Sequence, residues 1–404
     1  MPRNTTRLVS LFFSISGLFL FLCSYAAAQD SRVQYPGLLR NSYFGIHAGS
    51  IRYPFSNNQL QAGLRAESVD VPHLAVRAFL FGHEFNRYFS AQLSYMRPVE
   101  WVKYRNVDGD AAEHSVWTNV ASVTVKPQLP LSPKISIYGE AGLAIVTRKG
   151  FSISGSPAVA DYNRAGFLAG GGIAYNWNDR WSLTSGVVSA AGNSEFQQPR
   201  TTFFSGGLNY TMRPLQREVV ERNSDSDLVF PENIIQIGYS SSAAGFGAND
   251  LVSKSRVPVF WAGDVLVGRG ISVNYQRNAF HTRRMFSLDW GAGVSTWKSQ
   301  KIGDHFVTAA LYPVFEFTAL RSHAMDIYFR YSLAGPAYIS RPRIDGVETG
   351  KHFTFQDFMG VGFFAGGGRK FNTEVRIVHY SNGNIFPHNP GITVPLNLNL
   401  GYTF

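Results

Sequence analysis

A single cysteine, Cys23, stands among 404 residues, so the chain can form no internal disulfide. Charged residues are scarce at 16%, well under the roughly 25% of an ordinary soluble domain. Past residue 28, no stretch approaches the ~18 consecutive apolar residues of a transmembrane helix. Runs of five like charges, zinc-ligand spacings and Walker-type loops are missing too, which argues against nucleic-acid and nucleotide functions. What is present is 45% apolar residues, 14% aromatic residues, among them 32 phenylalanines, and 39 glycines. That composition excludes a disordered chain and points to β structure in more than one unit.

The first 28 residues read as a secretory signal peptide. Arg3 and Arg7 precede an apolar stretch from Leu8 to Cys23, and Ala26-Ala27-Ala28 fits a small-residue cleavage site. Leu22 before Cys23 is too large for lipoprotein processing, so no lipid anchor is expected. Cleavage would remove the only thiol and two basic residues, taking the net charge from +10 to +8. An exported cationic chain suits an anionic partner such as lipid, although charge alone does not choose it.

Segments of about ten residues with alternating apolar and polar side chains recur throughout, the signature of membrane β-strands. Phe89, Ala91, Leu93 and Tyr95 alternate with Ser90, Gln92 and Ser94; Ile135, Ile137, Ala141, Leu143 and Ile145 alternate with Ser136, Tyr138, Glu140 and Gly142. Successive strand side chains point to opposite faces, so each segment has one greasy face and one small or polar face. A soluble sandwich would alternate likewise, but the leader, the segment-end aromatics Trp101, Trp181 and Trp261, and the terminal Leu396, Leu398, Leu400, Tyr402, Phe404 favour the membrane.

Eight strands are expected near residues 47, 77, 92, 121, 141, 169, 185 and 206, and eight more near 239, 268, 291, 312, 330, 360, 376 and 398. Between the sets, Leu215 to Glu232 is charged and lacks alternation. As a periplasmic turn of one sixteen-stranded barrel it would be long, so the reading is all-β with two tandem eight-stranded antiparallel barrels, a single large barrel being the alternative. The expected organisation is a leader (1–28), a first barrel (29–213), a charged linker (214–232) and a second barrel (233–404). Small barrels fill their interiors with side chains, which disfavours a wide pore.

By pattern, the first half resembles small outer membrane barrels of the OmpA and OmpX type. It offers no chemical constellation: Gly170, Gly171 and Gly172 relieve crowding in a narrow barrel, and His47, His73, His83 and His114 are scattered without ligand spacing.

Chemistry concentrates in the segment Phe371 to Asn382. Asn372, Glu374 and Arg376 must face the interior, so Phe371, Thr373, Val375, Ile377, His379 and Ser381 face lipid. With both chain ends periplasmic, this strand climbs outward, which brings His379 and Ser381 near the outer leaflet. A histidine and a serine two residues apart on one strand face pair a general base with a hydroxyl nucleophile. Polar groups on the membrane side tend to mean function; rim residues present by chance are the plainer reading.

The run HYSNGNIFPHNPGIT (379–393), with HFTFQDFMGVGFFAGGG before it and a terminal GYTF, resembles the lipid A 3-O-deacylase family of outer membrane barrels. The likeness is strong over about the last 75 residues. It implies a serine hydrolase site on the outside of the barrel, with His379 as base, Ser381 as nucleophile and Asn389 as oxyanion donor, and with Asn382 and Gly391 shaping the loop. As plain structure these would be a strand end and turn residues. The family's acid, a Glu two residues after the turn glycine, is here Thr393, which cannot supply negative charge. Pairing across a turn centred near residue 369 sets Asp357 opposite Ser381 and Met359 opposite His379, making Asp357 a candidate substitute acid; a rim aspartate solvated by headgroups or calcium is the alternative.

The implied activity is ester hydrolysis on lipid A of lipopolysaccharide in the bacterial outer membrane, with no metal or organic cofactor. The partners are lipopolysaccharide and outer membrane lipids, not nucleic acid, with self-association into a homo-oligomer left open. The rivals are a phospholipase or acyltransferase on the same membrane face, and a non-catalytic structural or adhesive barrel. Whether Ile339 to Lys351 covers the site is open.

Overall fold

The structure, a computed structural model, describes residues 32–253, 263–386 and 388–404. The expected leader, Cys23 and Trp261 lie outside these. Two compact units emerge, each built around one ring of strands.

In the first, β1 (Ser42–Arg52), β2 (Leu74–Asn86), β3 (Phe89–Pro98), β4 (Asp110–Pro130), β5 (Ile135–Lys149), β6 (Tyr162–Asn176), β7 (Trp181–Ala190) and β8 (Thr201–Thr211) form an antiparallel meander. It closes where Tyr43 pairs with Thr211. Two short strands, Ala66–Asp70 and Val102–Val107, extend the sheet from β4. In the second, the strands are β9 (Asn233–Ser241), β10 (Val265–His281), β11 (Phe286–Ser299), β12 (His305–Arg321), β13 (Met325–Ile339), β14 (Phe353–Ala365), β15 (Phe371–Ser381) and β16 (Ile392–Thr403). Ile234 pairs with Thr403 to close this ring. Each ring shuts on its own eight strands, which rules out the sixteen-stranded alternative. The charged connection carries a short helix, Arg217–Ser224, and its Phe230 stacks on His281 of β10 at 3.9 Å.

The alternation read from sequence sorts side chains between lumen and outer wall. In the first lumen, Arg77 grips Glu140 with two guanidinium nitrogens while its Nε donates to Ser94 at 2.9 Å. In the second, Arg330 bridges Glu316 (2.8 Å) and Glu374 (2.8 Å), and Arg376 meets the other oxygen of Glu374 at 2.8 Å. Such buried charges persist only when paired, so the lumens are packed polar cores and not pores. Outer walls expose aliphatic rows such as Ile271 and Val273, Leu398 and Leu400. The glycines of β6 have the expected role: a Cβ on Gly172 would come within 2.6 Å of the Tyr138 hydroxyl.

In the second barrel, residues 282–285, 322–324 and 366–370 make short turns at one end; at the other, 300–304 is equally short, while the β9–β10, β13–β14 and β15–β16 connections are longer. Outer membrane barrels keep short turns periplasmic and long loops outside. β15 therefore climbs outward and ends, at Ser381, near the outer rim.

Candidate functional site

β15 presents Asn372, Glu374 and Arg376 to the lumen, where they are buried, and Phe371 and Val375 outward, where they are exposed. His379 and Ser381 continue the outward row. Yet His379 is only 2% exposed, because neighbouring segments cover it.

Direct pairing sets His379 between two cross-strand partners, Asp357 of β14 on one side and Thr393 of β16 on the other. Asp357 Oδ2 lies 3.5 Å from His379 Nδ1. This corrects the expected register, since Phe355 stands opposite Ser381, and Met359 opposite Ile377. The turn spans 366–370 and is centred on residue 368, because Gly366 (φ +80°) already leaves the strand. The slip of two residues preserves the face and brings the carboxylate to the imidazole.

Two features that sequence reading missed hold this row. β13 bulges between Ser332 and Gly335, with Ala334 at φ +54°, and the Ala334 N–H donates to Asp357 Oδ1 at 2.6 Å. The signal was legible: Gly335-Pro336 inside a strand marks a bulge. On the other side, Gly263 donates its N–H to Thr393 Oγ1 at 2.6 Å, and Asp264 and Val265 donate to the carbonyls of Pro390 and Gly391. Val265 and Leu266 then run parallel to Ile392 and Thr393. Thr393 thus stands beside His379 with its hydroxyl engaged by backbone.

The loop after β15 is tied to its own ends. Asn389 Oδ1 accepts the Asn382 N–H at 2.8 Å, and Asn382 Nδ2 donates to the His388 carbonyl at 3.1 Å. An N–H can only donate, so the oxygen end of Asn389 faces Asn382 and its Nδ2 is the other end of the amide. Gly391 takes φ +72°, a left-handed conformation that favours glycine. Ser381, Asn389 and Gly391 line one recess with Ile339, Thr349 and Tyr380, of about 10 Å³, roughly room for one water. Ile339 and Thr349 bracket the β13–β14 connection, so that connection does border Ser381.

The structure joins the imidazole of His379 to the carboxylate of Asp357, while the hydroxyl of Ser381 stands two residues further along the strand in a recess with Asn389, without a side-chain hydrogen bond to His379 among the described residues. A family model described as lipid A 3-O-deacylase (PagL) matches residues 269–403, which hold all of these groups. A second, the OmpA-like transmembrane domain, matches residues 40–213. Among solved structures, the outer membrane enzyme PagL is 17% identical, with 43% of this chain and 99% of that one covered and a TM-score of 0.32. The N-terminal β-barrel domain of Pseudomonas aeruginosa OprF (17% identity, 42% and 98% covered, TM-score 0.26) and Yersinia pestis Ail (15%, 42% and 96%, TM-score 0.28) are similar too. No curated protein matches. Two outer membrane barrel families in succession assign the chain to the bacterial outer membrane.

Proposed function

We propose that the second barrel is a serine esterase that removes an ester-linked acyl chain from lipid A, with residues 29–213 as an accompanying OmpA-type barrel and 214–232 as the linker. In this reading His379 takes the Ser381 proton, and Ser381 Oγ attacks the ester carbonyl. Asn389 Nδ2 stabilises the oxyanion. The acyl C–O bond breaks, the imidazolium protonates the departing sugar alkoxide, and a water deprotonated by His379 then attacks the acyl-serine, releasing the fatty acid as His379 returns the proton to Ser381. Asp357 orients His379 through Nδ1, leaving Nε2 to serve Ser381. The 3.5 Å separation suits a site whose hydrogen bonds tighten when substrate binds.

The observation that carries the reading is the Asp357–His379–Thr393 row with Ser381 two residues on, where a lipid-facing strand would otherwise be apolar. Thr393 supports the assignment from the other direction. It pairs with His379 where the family has its acid, and Asp357 supplies that charge from the opposite neighbour.

The test is incubation of the purified full chain with lipopolysaccharide, followed by mass spectrometry of lipid A and of released fatty acid. Loss of one hydroxyacyl chain, abolished in Ser381→Ala, supports the proposal. A gain of one chain would mean an acyltransferase, attack on glycerophospholipid alone a phospholipase, and unchanged lipid with both proteins a structural or adhesive barrel.

A further inference from the structure

Three basic side chains occupy successive strands of the second barrel near its outer rim. Arg269 of β10 pairs directly with Lys298 of β11, and Lys298 with His305 of β12. All three belong to outward rows, above Ile271, Thr296 and Val307. Like charges set directly opposite one another on adjacent strands are destabilising. None of the three makes an ion pair or a side-chain hydrogen bond among the described residues. The nearest acid in sequence, Asp304, is engaged by Arg341 at 3.0 Å and by the Asp345 N–H at 2.9 Å. Lys298 is also held in place: its stem crosses Gly303 so closely that a Cβ there would meet Lys298 Cε at 2.9 Å.

Height follows from strand length. At a tilt of about 40°, each residue climbs about 2.5 Å. Ser381 ends β15 about 25 Å above the short turns, while Arg269 and Lys298 stand about 30 Å above theirs and His305 higher still. The apolar band of such barrels is about 25 Å tall. The serine therefore lies at the upper edge of the hydrocarbon and the cations at headgroup level. They are also close round the wall, because Leu266, three residues before Arg269, pairs with Thr393, the partner of His379.

We propose that Arg269, Lys298 and His305 form a subsite for the phosphate of an anionic glycolipid headgroup in the outer leaflet. This deepens the esterase reading, on which it rests. A guanidinium and an ammonium, with an imidazole N–H beside them, offer charge-assisted donors to one phosphate, whose negative charge relieves their mutual repulsion. Anchored there, the headgroup holds its acyl esters below it, at the level of Ser381.

The experiment measures binding, not turnover. The full chain in neutral detergent is titrated with phosphorylated lipid A and with enzymatically dephosphorylated lipid A, by native mass spectrometry, alongside the double variant Arg269→Gln/Lys298→Gln. The wild type should bind the phosphorylated form at least about tenfold more tightly. The variant should lose that preference, keep its affinity for the dephosphorylated form, and melt no lower than wild type. Equal affinities in the wild type, a preference retained by the variant, or a lowered melting temperature pointing to a structural role would overturn the subsite. Full competition by millimolar inorganic phosphate would assign the cations to free anions and overturn the lipid assignment. Lipid A release in the same preparations reports on the esterase separately: phosphate preference without hydrolysis sinks the enzyme and spares the subsite, and hydrolysis without preference does the reverse.

Discussion

His47 in the first barrel and His379 in the second are equally withdrawn from solvent, 5% and 2% exposed, but on opposite sides of a barrel wall. His47 points into the lumen, where its Nε2 meets Thr184 Oγ1 at 2.7 Å and its ring sits edge-on to Phe79 at 4.6 Å. A narrow barrel filled with polar side chains buries such a group at no special expense. His379 lies on the outward row, and its burial takes a bulge in β13 and a parallel segment beside β16. A polar group hidden on the lipid side needs construction around it, which a lumen-facing one does not.

The comparison breaks most directly on activity. Ser381→Ala or His379→Ala should abolish fatty-acid release from lipopolysaccharide. His47→Ala should leave the rate unchanged and lower stability by about 1–2 kcal/mol, read from urea unfolding midpoints. Equal losses of activity from the two histidine variants would erase the distinction.

Next in size is the acid. In serine hydrolases, exchanging the triad acid for its amide costs about 10⁴ in turnover while the fold survives. Asp357→Asn should behave likewise, because the Asn oxygen still accepts from Ala334. Adding Thr393→Glu in that background restores a carboxylate from the other neighbour and should recover at least about tenfold in kcat. A rate unaffected by Asp357→Asn would remove the acid from the mechanism, and an unshifted melting temperature separates this from misfolding.

Much of this was legible in the sequence. Sixteen strands and their faces follow from period-two alternation, and the long charged join argued correctly for two rings. His379 and Ser381 on one outward face needed only parity. The partner of His379 was not legible, because register depends on where a turn begins: Gly366 at positive φ shifts the pairing by two and replaces Met359 with Asp357. Ala334 and Gly263 were hidden for another reason. Their contributions are backbone N–H groups: Gly335-Pro336 marks the bulge that delivers Ala334 but not the acceptor it meets, and Gly263 lies in a segment more than a hundred residues from Thr393.

The lumens offer a third comparison. Arg330 serves two carboxylates, Glu316 and Glu374, whereas Arg77 serves Glu140 alone. Removing one partner of a buried ion pair leaves an uncompensated charge, at a cost of about 3–5 kcal/mol. Arg330→Met should reach the upper end of that range and Arg77→Met the lower, because Arg376 still partners Glu374 but nothing else bridges Glu316 among the described residues. Urea midpoints of the full chain, followed by a signal from each barrel, would show two transitions shifting separately; equal shifts would mean that the network adds nothing to the simple pair.

The smallest effect concerns two glycines of one strand in the first barrel, β6. A Cβ on Gly172 would press on the Ser185 carbonyl and lie 2.6 Å from the Tyr138 hydroxyl, while one on Gly166, in the same strand, meets nothing within 4 Å. Gly172→Ala forces backbone apart in a closed ring that cannot splay at an edge, so it should cost about 1–3 kcal/mol. Gly166→Ala removes only unfolded-state freedom and should be neutral or stabilising by about 0.5 kcal/mol. If both substitutions shift the midpoint alike, the glycines of β6 are there for flexibility and not for space.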